Sequence, residues 1–311
     1  MSQPRVSICL VTYNHEKWIG EALESVLTQD FEDFEVVVGE DASTDNTRSI
    51  VEDHARRDAR IRLLPKGPNL GGRENLARTH AACKGEFINV LDGDDYFCST
   101  RKLSLQVALL DDDQTLSACF AASNEVDLNG APLRDPKHPY PLKDRYDLKD
   151  FARYCLSDSA AMMRRRSVLQ KMPTLYYVAP QGDWPMHILT AIEGDIGYLP
   201  EPLTAYRIHP GGVWNRKTEN EKFLSNLRCQ ELFLEHLPEA AVREIHPVIA
   251  KRAHQYSAEA RRNDDLDTAL VLQQWLDDHC KGVLPWKKRF KERWRLRAAL
   301  RKSRKTTSSL A

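Results

Sequence analysis

The chain has 311 residues, enough for one large domain or two smaller ones, and its 41% hydrophobic and 29% charged content is ordinary for a soluble globular protein. No run of about 18 apolar residues occurs, which excludes a membrane-spanning helix, and the N-terminus enters strand-like sequence with no basic and apolar leader, so no secretory signal is expected. The 45 Lys and Arg balance 45 Asp and Glu, yet eleven basic residues against one acid, Glu292, fall between Lys287 and Lys305; the 34 basic and 44 acidic residues elsewhere leave a body near −10 and a tail near +10.

Residues 6–11, Val-Ser-Ile-Cys-Leu-Val, form a short apolar run rich in β-branched side chains and predict a buried strand. Trp18, Ile19, Ala22, Leu23, Val26 and Leu27 then share one face of a helix over 15–27. Strands at 34–38, 61–64 and 87–91 alternate with helices at 46–57 and after Gly71-Gly72. This order predicts an α/β domain whose mostly parallel sheet carries helices on both faces. Beyond Ser117 the pattern loosens. Residues 129–145 read as a long loop, followed by a helix at 147–156, a short strand at 159–163, a helix at 165–171, a helix opening at Asp183 and a strand at 198–208. Residues 218–280 read as helical, with breaks near Pro238, Pro247 and Asn263-Asp264-Asp265.

Seven scattered cysteines, none in a C-x-x-C pair, offer no zinc or disulfide framework and fit a reducing compartment, so a cytoplasmic location is expected.

Ligands of open α/β sheets sit beyond the carboxyl ends of the strands. The residues there are Thr12-Tyr13-Asn14, Glu40-Asp41-Ala42-Ser43 and Asp92-Gly93-Asp94-Asp95. Three carboxylates in four residues repel unless a cation compensates them. Magnesium binds through one or two carboxylates plus substrate phosphates. Gly93 lets the backbone turn sharply and approach a ligand closely. A solvated Asp-Gly turn is the competing reading, and the position after the fourth strand favours a site.

Four blocks, Val11-Thr12-Tyr13-Asn14, Glu40-Asp41-Ala42-Ser43-Thr44-Asp45-Asn46-Thr47, Asn69-Leu70-Gly71-Gly72 and Leu91-Asp92-Gly93-Asp94-Asp95, resemble in order and spacing the inverting glycosyltransferases of family two, which have the GT-A fold. The resemblance covers residues 4–215 and weakens after 120. It implies a Rossmann-like GT-A catalytic domain at 1–215; the helical pattern and the basic block beyond it mark a helical extension at 216–282 and a basic amphipathic tail at 283–311. It also implies a nucleotide-diphosphate donor, UDP-sugar favoured, with Mg2+ or Mn2+ as cofactor. Residue by residue, Thr12, Tyr13 and Asn14 line the base pocket, Asp41 bonds the base, Asp92 contacts the ribose and Asp94 holds the metal. Asp95 lies near the sugar or supports the site, and Arg73 or Arg78 touches the donor. Glu40 and Ala42 stand where the family often has Asp and Gly, which leaves the base open. A strand-end turn at Asp41 and a helix cap at Asn14 are compatible local readings.

Inverting transfer needs a general base on the acceptor side and charge neutralisation on the leaving phosphate. Gln181-Gly182-Asp183-Trp184-Pro185 stands where the family carries an acidic pair whose aspartate is the base. Gly182 replaces the first acid, leaving Asp183, for which a helix N-cap is the plain alternative. Relatives often carry a histidine where Tyr206-Arg207-Ile208-His209-Pro210 stands, and His209 is the second metal candidate, a neutral imidazole suiting manganese. Arg207 is a candidate phosphate partner.

In the tail, Trp286, Phe290 and Trp294 fall within about 80° of a helix, extended by Leu296 and Leu300 and interrupted by Arg293, Arg297 and Arg301. A basic helix with aromatics suits an anionic membrane surface over 286–305; a solvated terminus and nucleic-acid binding are the alternatives, the last least favoured. The acceptor expected is a saccharide or lipid-linked glycan of surface polysaccharide synthesis, at the cytoplasmic face of the membrane. Two rivals stand. One is a non-catalytic nucleotide-sugar-binding module, suggested by Gly182. The other, a nucleotidyltransferase, ranks low because residues 13–16 are not a glycine-rich basic loop.

Overall fold

The computed structural model describes residues 3–168, 170 and 172–308, with side chains at 286–289 and 302–308 excepted. Two compact units divide within one helix, at Cys229 and Gln230. The first unit begins with β1 (Val6–Thr12), α1 (Ile19–Leu27), β2 (Phe34–Glu40), α2 (Thr47–Arg57), β3 (Ile61–Leu63), α3 (Gly72–Ala82) and β4 (Phe87–Asp92). It continues with β5 (Tyr96–Phe97), α4 (Lys102–Asp112), β6 (Leu116–Val126), β7 (Arg145–Tyr146), α5 (Leu148–Arg153) and β8 (Met162–Arg165). After α6 (Thr174–Val178), α7 (Asp183–Glu193) and β9 (Asp195–Arg207), α8 (Glu219–His236) leads into the second unit.

The strands form one sheet in the order β3-β2-β1-β4-β8-β6-β9-β5, with β7 on β9. The pairings of β1 with β2 and β4, of β2 with β3 and of β6 with β9 are parallel; β8 runs antiparallel between β4 and β6. Alternate side chains explain why the apolar runs are continuous. Val6, Ile8 and Leu10 of β1 pack with α1 and α4 on one face, while Cys9, with Val37 and Val90, meets Leu76 of α3 and Met186 of α7 on the other.

Several expectations are corrected. Helix α1 starts at Ile19 rather than residue 15, because the backbone N–H groups of His15 and Glu16 donate to Thr47 Oγ1 (2.8 Å) and Asp45 Oδ2 (3.1 Å) instead of entering a helix. The helix expected at 165–171 is a 3-10 turn at Arg166–Val168, beyond which Leu169 and Lys171 lie outside the described residues. Pro247 does not break α9 (Glu239–Arg262): it removes one hydrogen bond, but Ile245, Ile249, Ala250 and Ala253 keep one buried face running across it.

In the second unit, α9 packs with α10 (Leu266–His279) and α11 (Trp286–Ser308). Asp265 caps α10, accepting from Thr268 N at 3.1 Å. No described helix is long and apolar enough to cross a membrane.

Candidate active site

The carboxyl ends of β1, β2, β4 and β9 meet along one edge of the sheet, and the acidic turn after β4 sits at its centre. Gly93 is required there by crowding: its φ is not positive, but a Cβ would stand 2.5 Å from Thr12 Oγ1 and 2.9 Å from His15 Nδ1. The missing side chain lets the turn close on the β1 loop. Asp94 Oδ2 lies 2.9 Å from His209 Nε2 and 3.8 Å from His15 Nε2. Burial pushes the Asp94 carboxyl up, but the His209 hydrogen bond and the His15 ring more than offset it, leaving Asp94 below its ordinary value.

His15 was not singled out as a ligand from sequence. Burial holds its imidazole below the ordinary value against the pull of Asp94, which favours the neutral ring. Thr12 Oγ1 lies 3.3 Å from Nδ1. A proton on Nδ1 donated to Thr12 leaves Nε2 with its lone pair toward Asp94. His209 is buried and packs on Trp18, ring centres 4.7 Å apart.

Asp92, half-buried, is pushed well above the carboxylate range by burial and by the charges of Asp94, Asp183 and Asp158. The last two come from the other side of the site. Asp183 is the first residue of α7, and the cap position is Gly182 with no side-chain bond, so the N-cap alternative does not hold. Its Oδ1 accepts from Ser159 Oγ at 2.6 Å. Burial raises the Asp183 carboxyl, opposed by the Ser159 bond and by Arg164 and Arg73, and reinforced by Asp158.

One carboxylate and two imidazoles make a donor set suited to manganese or a similar borderline ion. Among the described residues no three His, Cys, Asp or Glu side chains close around a point that could hold an ion unaided. A cation beside Asp94 would therefore need further oxygen donors, such as substrate phosphates.

The matching family model is Glycosyl transferase family 2, over residues 7–170. The chain belongs to glycosyl transferase family 2. An uncharacterized Mycobacterium tuberculosis protein is 34% identical over 224 residues, covering 70% of this chain and 63% of that protein. Staphylococcus aureus TarS 1–349, solved in complex with UDP-GlcNAc, shares the fold with a TM-score of 0.68 at 20% identity, over 95% of this chain and 88% of that one. The mannosyltransferase PcManGT of Pyrobaculum calidifontis, solved with GDP-Man and Mn2+, does so with a TM-score of 0.52 at 19% identity, over 97% and 87%.

In this family 2 chain, several residues expected at the donor are engaged in bracing the site. Both Asp41 carboxylate oxygens accept backbone N–H groups, Oδ1 from Leu70 (2.8 Å) and Oδ2 from Gly71 (2.9 Å). Asn14, at φ 56°, does not cap α1; its Oδ1 accepts from Thr44 N at 2.8 Å and its own N–H donates to Ser43 Oγ, tying the β1 and β2 loops. Ala42 takes a left-handed φ of 58° where the family often has Gly. Thr12 is buried, and Tyr13 is exposed beside it.

Of the two places expected for Asp95, the structure has it bracing the site: it is buried, and its Oδ1 accepts from Arg207 N at 2.8 Å, fastening the end of β9 to the acidic turn. Arg73 donates to the carbonyls of Tyr176 and Ala179, and Arg78 to Glu40 O and Asn75 Oδ1, so both guanidinium groups are tied to neighbouring loops of the protein. Arg207 is buried, donating to Asp94 O, Leu128 O and Glu21 Oε2, which removes it as a phosphate partner. Asp158 and Ser159 were missed because they precede a strand, and the search covered residues that follow one.

Proposed function

We propose that this protein is a metal-dependent inverting glycosyltransferase that moves a sugar from a nucleotide-diphosphate donor, a UDP-sugar, to a saccharide or lipid-linked glycan. The catalytic part is residues 1–215, with 216–282 as a helical extension and 283–311 as the tail. The observation that carries the reading is the meeting of Asp94, His209 and His15 at the ends of three strands, with Asp183 facing the same acidic turn.

Asp94, His209 and His15 would hold a divalent cation. When bound, that ion supplies Lewis-acid neutralisation of a diphosphate leaving group. Thr12, Tyr13 and Asn14 form the floor of the nucleoside side, and Asp41 fixes the 69–71 loop that borders it. Asp92 faces the ribose. Asp183 takes the proton of the acceptor hydroxyl at its carboxylate; burial raises its basicity, and Ser159 fixes which oxygen is free. The α7 N-terminus works in the opposite sense, favouring the carboxylate.

Thermal shift against a panel of nucleotide sugars, with and without Mn2+, tests this. At a free ligand concentration of about 100 Kd the true donor stabilises the fold by about 2.7 kcal/mol. Asp94→Asn should melt like the parent alone and lose the Mn2+-dependent part of that shift. A variant with the full shift and full turnover would overturn the metal assignment.

A further inference from the structure

The sequence pattern placed Leu296 beside the tail aromatics, and the structure puts it on the other side of the helix. On α11, Leu296 is 3% exposed and Glu292 4%. Glu292 Oε1 accepts from Arg261 Nε of α9 at 2.5 Å, and Arg293 pairs with Asp277 of α10. These contacts fix one side of α11 within the second unit. At about 100° per residue, Phe290, Trp294, Arg297 and Arg301 share a face about 60° wide on the opposite side. Phe290 is 63% and Trp294 65% exposed. Lys291, Arg295, Arg297 and Arg301 are exposed around them. Trp286, also read into the stripe, has its side chain outside the described residues.

We propose that this outward face of α11 is a docking surface for an anionic lipid bilayer, lying in the headgroup plane with Phe290 and Trp294 inserted. Charge complementarity selects the occupant. The tail concentrates eleven basic residues, and its one acid is turned inward and ion-paired. An anionic surface attracts such a segment, and wedge aromatics add apolar insertion. Attraction of this kind between a basic face and an anionic surface is sensitive to salt. This inference does not rest on the transfer reaction, and vesicle binding reads it without turnover.

The test is co-sedimentation of the full chain with vesicles of phosphatidylcholine alone and of phosphatidylcholine mixed with phosphatidylglycerol. Binding is expected to the mixed vesicles only and to weaken as salt rises. Phe290→Ser with Trp294→Ser should bind about tenfold more weakly, as should Arg297→Glu with Arg301→Glu, and a cooperative melt of each double variant shows that the loss is not unfolding. Quenching of tryptophan emission by brominated lipid should drop in Trp294→Phe. Equal binding to neutral vesicles, no binding to either, or an unaffected aromatic double variant would overturn the proposal. So would capture by single-stranded RNA in place of vesicles.

Discussion

Lys102 opens α4 with its side chain fully buried. Its Nζ donates to Gln106 Oε1 at 2.6 Å and lies 4.3 Å from the centre of the Phe97 ring, while Cys119, Asp158 and Cys98 act on it only through space. Burial lowers its pKa from 10.5 to about 7. Between those values the unfolded chain holds more protons than the folded one, so stability rises with pH across that window. The contribution is fully present above the unfolded value and is lost as pH falls through about 7. At about 1.36 kcal/mol per pH unit, the cost of the buried ammonium near and below neutrality has a ceiling of about 5 kcal/mol.

Lys102→Met keeps the length of the side chain and removes the charge. Gln106 Oε1 loses its donor, which costs about 1–3 kcal/mol, and Gln106 Nε2 keeps its bond to Ala161 O at 2.9 Å. The net expectation is a gain of up to about 2–4 kcal/mol near and below neutral pH, turning at high pH into a loss of about 1–3 kcal/mol, because the hydrogen bond to Gln106 is missing at every pH while the charge penalty is not. Urea unfolding of parent and variant at about pH 6, 8 and 10 reads both the gain and its slope. A variant less stable than the parent near neutrality, or one as steeply pH-dependent, would refute the reasoning.

Asp183→Asn preserves the shape and the partner Ser159, so donor binding by thermal shift should persist while transfer falls by about 10²–10⁴. In the parent, burial raises Asp183, so activity should fail on acidification at a pH above the ordinary carboxylate range; a limb within that range would contradict the assigned base. Gly93→Ala puts a Cβ 2.5 Å from Thr12 Oγ1 and 2.8 Å from Thr12 Cβ. It should lower stability by about 1–3 kcal/mol and abolish the Mn2+-dependent shift by displacing His15. A normal melt and shift would show that the turn has room.

Legibility followed burial geometry. β1, β2 and β4 are covered on both faces, so their apolar runs mark them in the sequence, and the residues just after them were found by rule. The middle of the sheet obeys the same physics with different residues. β6 is Leu-Ser-Ala-Cys-Phe-Ala-Ala-Ser-Asn-Glu-Val, small side chains of low strand preference that are buried because two neighbours flank it. β8 is Met-Met-Arg-Arg; it overlaps the short strand expected at 159–163 but ends on two arginines that read as surface. Yet Arg164 is 2% exposed, its Nε donates to Thr190 Oγ1 at 3.2 Å, and burial pulls it down to about 10.

That buried arginine links the hidden strand to the chemistry. β8 runs against β4, so its N-terminal end, not its carboxyl end, arrives at the edge where the ligand belongs. Ser159 thereby meets Asp183, and Arg164, behind them, favours the ionised form of Asp183. Residues that follow strands supply the donor side of such a site, whereas Asp183, half of the acceptor side, follows α6 and is marked in the sequence only by the family resemblance. Finding the other half requires the direction of each strand, which depends on pairings between segments about 70 residues apart, such as Asn89 with Met163. His15 illustrates the same limit: it is an ordinary loop histidine in sequence, while His209 is marked there only through the family resemblance, and the closure of β9 against the acidic turn, fastened by Asp95 on Arg207 N, brings His209 to the carboxylate that His15 also neighbours.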